Sequence, residues 1–493
     1  MKKKSIKGPS WDSIFLAFTK IITLLFGILS AKILSTGLTL HEYGTYSQAN
    51  LIMTTGTSVI LFGLGDALNY YFNNKDKKIS EDLKNRIVNT VFLIEMILGL
   101  IFCSVVIFGK DLIAMYFSND TVKDLLYVVA ILPIFSNIIY FMQILCVSVG
   151  RAKKTSMYSL ILTIVRLLAV CLSVYVLNNI IWIYMFILCI DTVNVIFYNF
   201  DLKKSGVSIN PIKISIKHIK PILKYGLPMG VYAITSTFTR DLEKLVVGRL
   251  GGTEELAIYA NCSKVLPLDF FVTSFAVVLI PYIYRRVSEG RREESLDLFS
   301  SYLKVGYYTV WILGTTVLVA PKSIISFLYA DVYVSGTVVF VLYILDSMLR
   351  FASIHLILTA AGKSKRVMMY SLVSLILNLV LNILFYHIWG MIGPAISTVI
   401  VAVLYMTLIL GDTIKTLQAK VTDVLDFKDL LWFVLSLLIV WFVAFILNHL
   451  LVHFGVHIYL SMFICMGLFG IVTFILHFKK IFGVLKRINS FQL

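Results

Sequence analysis

Six basic residues lie where the sequence is otherwise apolar: Lys20, Arg166, Arg240, Lys244, Lys264 and Arg350. Lys32 and Lys304 are near the ends of apolar stretches and can snorkel to water. Acids stand in comparable places: Asp66, Glu95, Asp191, Asp241, Glu243, Asp269 and Asp346. An unpaired charge in hydrocarbon costs about 2.5–3.5 kcal/mol or more, so such groups either pair or face a polar cavity. Some pairs follow from spacing. Asp346 and Arg350 stand i,i+4 in the favoured order. "RDLEK" (240–244) offers Arg240–Glu243 and Asp241–Lys244 on one side of a helix. Arg166 comes 13 residues before Asn179 and Asp191 comes 12 after it. If a tight hairpin turns at Asn179, both lie about 18–20 Å below the turn and are level.

These residues sit on elements that the composition defines. Of 493 residues, 59% are hydrophobic and 14% charged, against about 25% charged in a soluble domain. Mean hydropathy is +0.88. The chain is therefore expected to be an all-α polytopic membrane protein. Fourteen stretches are long enough for transmembrane helices, over about 11–33, 46–71, 88–109, 124–148, 156–178, 181–200, 221–248, 256–283, 301–320, 336–358, 367–386, 391–411, 429–448 and 457–477. The basic start resembles a signal-peptide n-region, but the apolar run after it is too long and lacks an A-x-A-like site, so it reads as the first span. Alternate loops hold the Lys and Arg. The opposite set holds only Lys110, Lys123, Arg249 and Lys322. The positive-inside rule then puts both termini in the cytoplasm, which an even span count permits. The +17 net charge is spread over every inside loop. It reads as topology and contact with anionic lipids, not as nucleic-acid binding.

A repeat organises the spans. "GRAKKTSMYSL" (150–160) returns as "GKSKRVMMYSL" (362–372), offset by 212, with six of eleven positions identical. "EYGTYSQA" (42–49) returns as "ELAIYANC" (255–262), pairing Glu42 with Glu255 and Tyr46 with Tyr259. Both matches join spans six apart. Two parallel six-helix bundles are expected, related by a pseudo-two-fold along the membrane normal. They form an N-lobe over 1–200 and a C-lobe over 221–412. A basic cytoplasmic linker (201–220) joins them, and an additional helix pair with a cytoplasmic tail (413–493) follows. Duplicated bundles of this kind usually mean alternating access around a site near the midplane.

Three segments carry a family resemblance: "LKYGLPMGVYAITSTFTRDLEKLVVGRLGGTEELAIYANCSKV", "FAVVLIPYIYRRVSEGRREES" with Pro281 before its basic loop, and "TAAGKSKRVMMYSLVSLILNLVLNILFYHIWGMIGPAISTVI". Over about 1–412 the chain resembles the oligosaccharide and polysaccharide flippases of the multidrug/oligosaccharidyl-lipid/polysaccharide exporter superfamily, a group with the lipid II flippases as sisters. The resemblance implies a flippase in a bacterial plasma membrane. It would translocate an undecaprenyl-diphosphate-linked oligosaccharide to the outer leaflet for surface polysaccharide synthesis, alongside glycosyltransferases and a polymerase. It also implies that spans one, seven and eight line a central cavity. There Lys20, Arg240, Lys244 and Lys264 would suit a diphosphate, since Arg and Lys bind phosphate by charge-assisted hydrogen bonds. Arg166 and Arg350 join the candidate cations. Asp66, Asp191, Asp241, Glu243, Asp269 and Asp346 are candidate coupling or pairing acids. For Arg166–Asp191 and Asp346–Arg350 a purely structural pairing stands equally open.

The remaining motifs point away from other chemistry. Six cysteines without CxxC spacing or a Cys/His cluster make neither a disulfide framework nor a zinc site. His449, His453 and His457 read as loop histidines rather than metal ligands. "AGKSKR" lacks a P-loop's first glycine, having Ile357 there. Asn378 and Asn382 read as helix glue. Pro228 either bends the seventh span or starts it. No cofactor or metal is implied. A cation-coupled multidrug exporter and a lipid II flippase remain alternatives. A membrane-embedded transferase is disfavoured by the short outer loops.

Overall fold

The computed structural model describes residues 11–490 apart from 66–67, 69–80, 208, 211–212, 265–267, 269–278, 280–281 and 288. Among the described residues there are nineteen α-helices, one 3-10 turn and no strand. Helices are what apolar runs must form in hydrocarbon, where each backbone group needs a partner within its own segment. Among the described residues, nine helical stretches are long and apolar enough to cross a membrane, ten if one bent pair counts as a span; Val122–Ser148 joins two consecutive helices and Asp331–Leu349 takes in the 3-10 turn. Each of the fourteen expected stretches coincides at least in part with a helix.

Contacts divide the chain into two compact units, Met1–Ala257 and Ile258–Leu493. The first holds α1 (Trp11–Gly37), α2 (Leu40–Leu61), α3 (Glu81–Phe108), α4 (Lys110–Phe117), α5 (Val122–Val129), α6 (Leu132–Ser148), α7 (Ala152–Tyr175), α8 (Ile181–Lys203) and α9 (Ile216–Leu250). The boundary falls inside α10 (Gly252–Cys262). The second unit continues with α11 (Arg292–Val317), α12 (Pro321–Leu328), α13 (Thr337–Leu349), α14 (Leu356–Ala360), α15 (Ser364–Trp389), α16 (Ile392–Leu417), α17 (Val421–Val424), α18 (Phe427–His453) and α19 (Ile458–Ser490).

The twin junctions fold alike. Gly150 and Gly362 follow the helices before them at φ +82° and +74°, the left-handed conformation that glycine adopts at little cost. Each turn closes with the same Schellman bond: Arg151 N donates to Cys146 O at 2.9 Å, and Lys363 N to Leu358 O at 2.8 Å. The junction cations then clamp a buried acid at the end of the sixth helix of each set. Arg151 and Lys154 both meet Asp201, and Arg366 meets Asp412 at 2.6 Å. The echo extends to helix starts: α2 begins at Leu40 and α10 at Gly252. Short helices α4 and α12, each of eight residues, also correspond. They were not among the expected spans because eight residues cannot register in a span-length window.

The units differ where α9 lies. By the repeat it corresponds to α1. α1 packs along α7, whereas α9 packs on α2 and α3 within the first unit. In the second unit, α18 and α19 are held to α11 by Asp429, which accepts from Tyr307 (2.9 Å), Tyr308 (2.6 Å) and Lys480 (2.5 Å). Trp441 Nε1 also donates to Leu318 O at 2.9 Å.

Candidate functional site

The charged segment of α9 is positioned from three directions. At one end, glycines allow backbone contact with the end of α2. A Cβ on Gly230 would lie 2.7 Å from the carbonyl of Phe62, and one on Gly226 would lie 3.2 Å from the same oxygen. Phe62 itself closes α2 in the left-handed region at φ 39°. At the other end, Arg249 Nη1 donates to the carbonyls of Met115 and Tyr116 on α4, both at 3.0 Å. Tyr116 Oη returns a bond to Leu245 O at 3.2 Å. Burial pushes the Tyr116 phenol up from its ordinary range, and Arg249 partly offsets that. Beyond α9, Gln48 donates to Thr253 Oγ1 at 3.1 Å and accepts from Asn119 at 2.7 Å, tying α2 to the same turn.

Between these anchors runs a polar seam. Thr237, Arg240, Asp241 and Lys244 recur at i, i+3, i+4 and i+7, so they share one face of α9. Ser58 and Thr237 share a 2.7 Å hydroxyl bond, and Thr54 donates to Asp241 at 3.3 Å. Lys244 bonds to Asp241 at 2.8 Å. Arg240 is exposed and reaches Thr237 Oγ1 at 3.5 Å. No acid partner for its guanidinium appears among the described residues. Glu243 is buried on the adjoining turn. The chemistry available is a guanidinium beside a neutralised Lys–Asp pair and a row of hydroxyls, a set suited to an oxyanion.

The other expected residues are dispersed. Arg166 does bond to Asp191 between α7 and α8, at the level that counting from the turn predicts. Asp191 is buried, and the Arg166 side chain remains 46% exposed. Arg350 Nε spans both oxygens of Asp346 at 2.9 and 3.0 Å. These are two pairs on separate elements. Lys264, in the second unit, donates to Asn261 at 2.8 Å and lies over the Tyr329 ring at 5.7 Å. Lys20 is on α1, but its side chain lies outside the described residues, as do Asp66 and Asp269. Pro281 and the side chain of Pro228 lie outside them as well. Asn378 accepts from Asn382 at 3.0 Å and lies 3.5 Å from Ser397, as glue between α15 and α16. No group of His, Cys, Asp and Glu that could hold a metal occurs among the described residues.

Thr54, Ser58 and Thr237 were missed in the sequence. The run of hydroxyls in "TTGTS" (54–58), with Thr54 and Ser58 at i,i+4, was the available signal.

The family model described as "Polysaccharide biosynthesis protein" matches residues 33–338. No curated protein sequence matches the chain. Among solved structures the fold is similar to that of the lipid II flippase MurJ in an inward closed conformation (TM-score 0.70, 17% identity, 95% of this chain and 99% of that one). It is similar also to an inward-facing multidrug resistance MATE family transporter of the MOP superfamily (0.63, 12%, 82% and 98%). A third likeness is to the MATE multidrug transporter DinF-BH (0.54, 16%, 85% and 100%).

Proposed function

Because the chain belongs to the polysaccharide biosynthesis protein family, we propose that it is a flippase moving an undecaprenyl-diphosphate-linked oligosaccharide from the inner to the outer leaflet of a bacterial plasma membrane by alternating access. The observation that carries this reading is Arg240: an exposed guanidinium on α9, the helix that covers the expected seventh span, its described partner a neutral hydroxyl 3.5 Å away. A cation kept in a span without an acid partner is expected to serve a ligand. A diphosphate supplies the countercharge through charge-assisted bonds. Lys264 and Lys20 are further candidate anion-binding cations, and glycosyltransferases and a polymerase would act before and after translocation. The excess of Lys and Arg in alternate loops supports cytoplasmic termini.

The test is leaflet-specific translocation of a lipid-linked oligosaccharide by purified protein in vesicles, with Arg240→Ala and Lys264→Ala assayed singly. A hydrogen bond to a charged group is worth about 1.5–3 kcal/mol, so a residue that holds the diphosphate loses roughly 10–100-fold in rate. Full activity in both variants overturns the assignment. Movement of lipid II alone, or ion-driven efflux of cationic dyes without glycolipid movement, replaces this substrate with the one observed.

A further inference from the structure

Glu95 lies near the middle of α3 and is 2% exposed. Among the described residues, neither of its carboxyl oxygens has a hydrogen-bond partner. On its own helix Val88 and Val91, on the same face, are fully buried. Around it the core of the first unit is built from Ile60, Leu64, Ile138, Phe141 and Met142.

The packing also fixes what stands opposite. A Cβ on Gly56 of α2 would meet both Phe102 of α3 and Pro133 of α6, and one on Gly99 would lie 2.8 Å from Ile134. α3 and α6 therefore run antiparallel with Gly99 facing Ile134. Four residues back along α3, Glu95 is level with Ile138, within about 1.5 Å of the level of Asn137. Asn137 is 1% exposed. Its Nδ2 donates to Thr57 O (3.1 Å) and Pro133 O (2.9 Å), and its Oδ1 is buried with no partner. An orphaned acceptor and an orphaned carboxyl thus sit at one depth of one apolar seam. An ionised carboxylate brings only acceptors. The neutral acid brings the one donor that this seam lacks, and it avoids burying an unpaired charge.

Among the described residues, no hydrogen bond or ion pair brings a countercharge to Glu95. α2 has no titratable side chain between Tyr46 and Leu61. α6 has Tyr140, which is exposed, and Cys146, two turns away. Cys103 is on α3 itself. α9 carries Lys217, Lys220, Lys224, Arg240, Asp241, Glu243, Lys244 and Arg249; Arg240, Asp241 and Lys244 bond along the α2 seam and Arg249 to α4, and none of the described hydrogen bonds or ion pairs joins any of them to Glu95. α4 and α5 carry Lys110, Asp111, Lys123 and Asp124, past the C-terminal end of α3, where Asp111 and Lys123 pair at 3.0 Å. A metal cation would need several oxygens around the carboxylate, where the seam offers one free side-chain acceptor, Asn137 Oδ1, among aliphatic side chains.

We propose that Glu95 is a proton-binding site: protonated while α2, α3 and α6 are packed, and releasing the proton when that seam opens to water, so that transport is coupled to proton movement. The coupling rests on the transport reading above; the proton site does not. Two measurements separate them. The first is an infrared difference spectrum of wild type against Glu95→Gln, which keeps the shape of the neutral acid. Wild type should show a protonated-carboxyl band at neutral pH that the variant lacks, and absence of that band overturns the site. The second imposes a pH gradient on vesicles. One coupled proton shifts the steady-state distribution of lipid-linked oligosaccharide about tenfold per pH unit; Glu95→Gln should still equilibrate the lipid but lose the shift. An unchanged shift in the variant overturns the coupling. If wild type shows the band yet moves no lipid-linked oligosaccharide, the substrate reading fails and the proton site stands.

Discussion

Asp191→Asn should destabilise the first unit more than any surface change of equal size. Asp191 has a side chain 1% exposed, while its partner Arg166 is 46% exposed on a membrane-spanning helix. Both lie about 18–20 Å from the Asn179 turn, close to the middle of a hydrocarbon core about 30 Å thick. The substitution keeps volume but leaves Arg166 at that depth with a neutral partner. Removing one member of a buried pair costs about 3–5 kcal/mol, and an arginine at a helix centre costs about 2.5–3.5 kcal/mol on insertion scales. Because Arg166 is half exposed, the lower figure of about 3 kcal/mol is the better expectation. For a unit of roughly 250 residues, 1 kcal/mol moves the midpoint by about 2 °C, so the shift should be about 6 °C. The assay is thermal unfolding of detergent-purified protein by size-exclusion or intrinsic fluorescence. The paired variant Arg166→Leu with Asp191→Leu should recover most of the loss, since a buried ion pair replaced by apolar residues is often neutral. If Asp191→Asn melts within a degree of wild type, or the double variant melts no higher than the worse single one, the pair does not stabilise the unit and this reasoning fails.

Two further outcomes follow from contacts at the ends of helices. Gly230→Val would drive a side chain into the Phe62 backbone, where even a Cβ would lie 2.7 Å away; a cost of about 1–3 kcal/mol is expected for forced repacking, read as a lowered melting midpoint, and Gly411→Val, with open space around it, is the control. Asp201→Asn strips the acid from two cations and Asp412→Asn from one, so the first should lower the midpoint more than the second, and equal losses would show that Lys154 adds nothing to its clamp.

Legibility in the sequence tracked the distance over which a feature is determined. The Arg166–Asp191 pair was accessible because a tight hairpin fixes relative depth by counting alone. The left-handed glycines at 150 and 362 were visible because a turn is a local event written twice. The acids that the junction cations find, Asp201 and Asp412, stand about 50 residues further on, and nothing local names them. The hydroxyl row of Thr54 and Ser58 gains its meaning only when α9 is laid against α2, a pairing about 180 residues distant that the repeat did not foretell. Indeed the repeat places α9 with the second set of six helices, while its packing is with the first unit. Glu95 was legible as an acid at depth, but its isolation was not, since the absence of a partner is a property of three helices at once.

The repeat also separates charges that the scaffold needs from charges that it does not. Where both copies hold a basic residue against an acid, as Arg151 and Lys154 do with Asp201 and Arg366 does with Asp412, the arrangement has survived the divergence of everything around it, and a structural role explains it. Deeper in the span the copies part: Arg166 with Asp191 in one, Asn378 with Asn382 and Ser397 in the other. A neutral amide thus performs there the packing that an ion pair performs in the first copy. The same offset of 212 sets Lys244 against Lys32, but Arg240 against Ile28 and Asp241 against Leu29. Those two aliphatic positions on α1 are exposed, at 38% and 46%. A helix of this fold is therefore made without charge at those places. The guanidinium of Arg240 is a charge that the corresponding place on α1 does without, and the oxyanion-binding reading gives it a purpose.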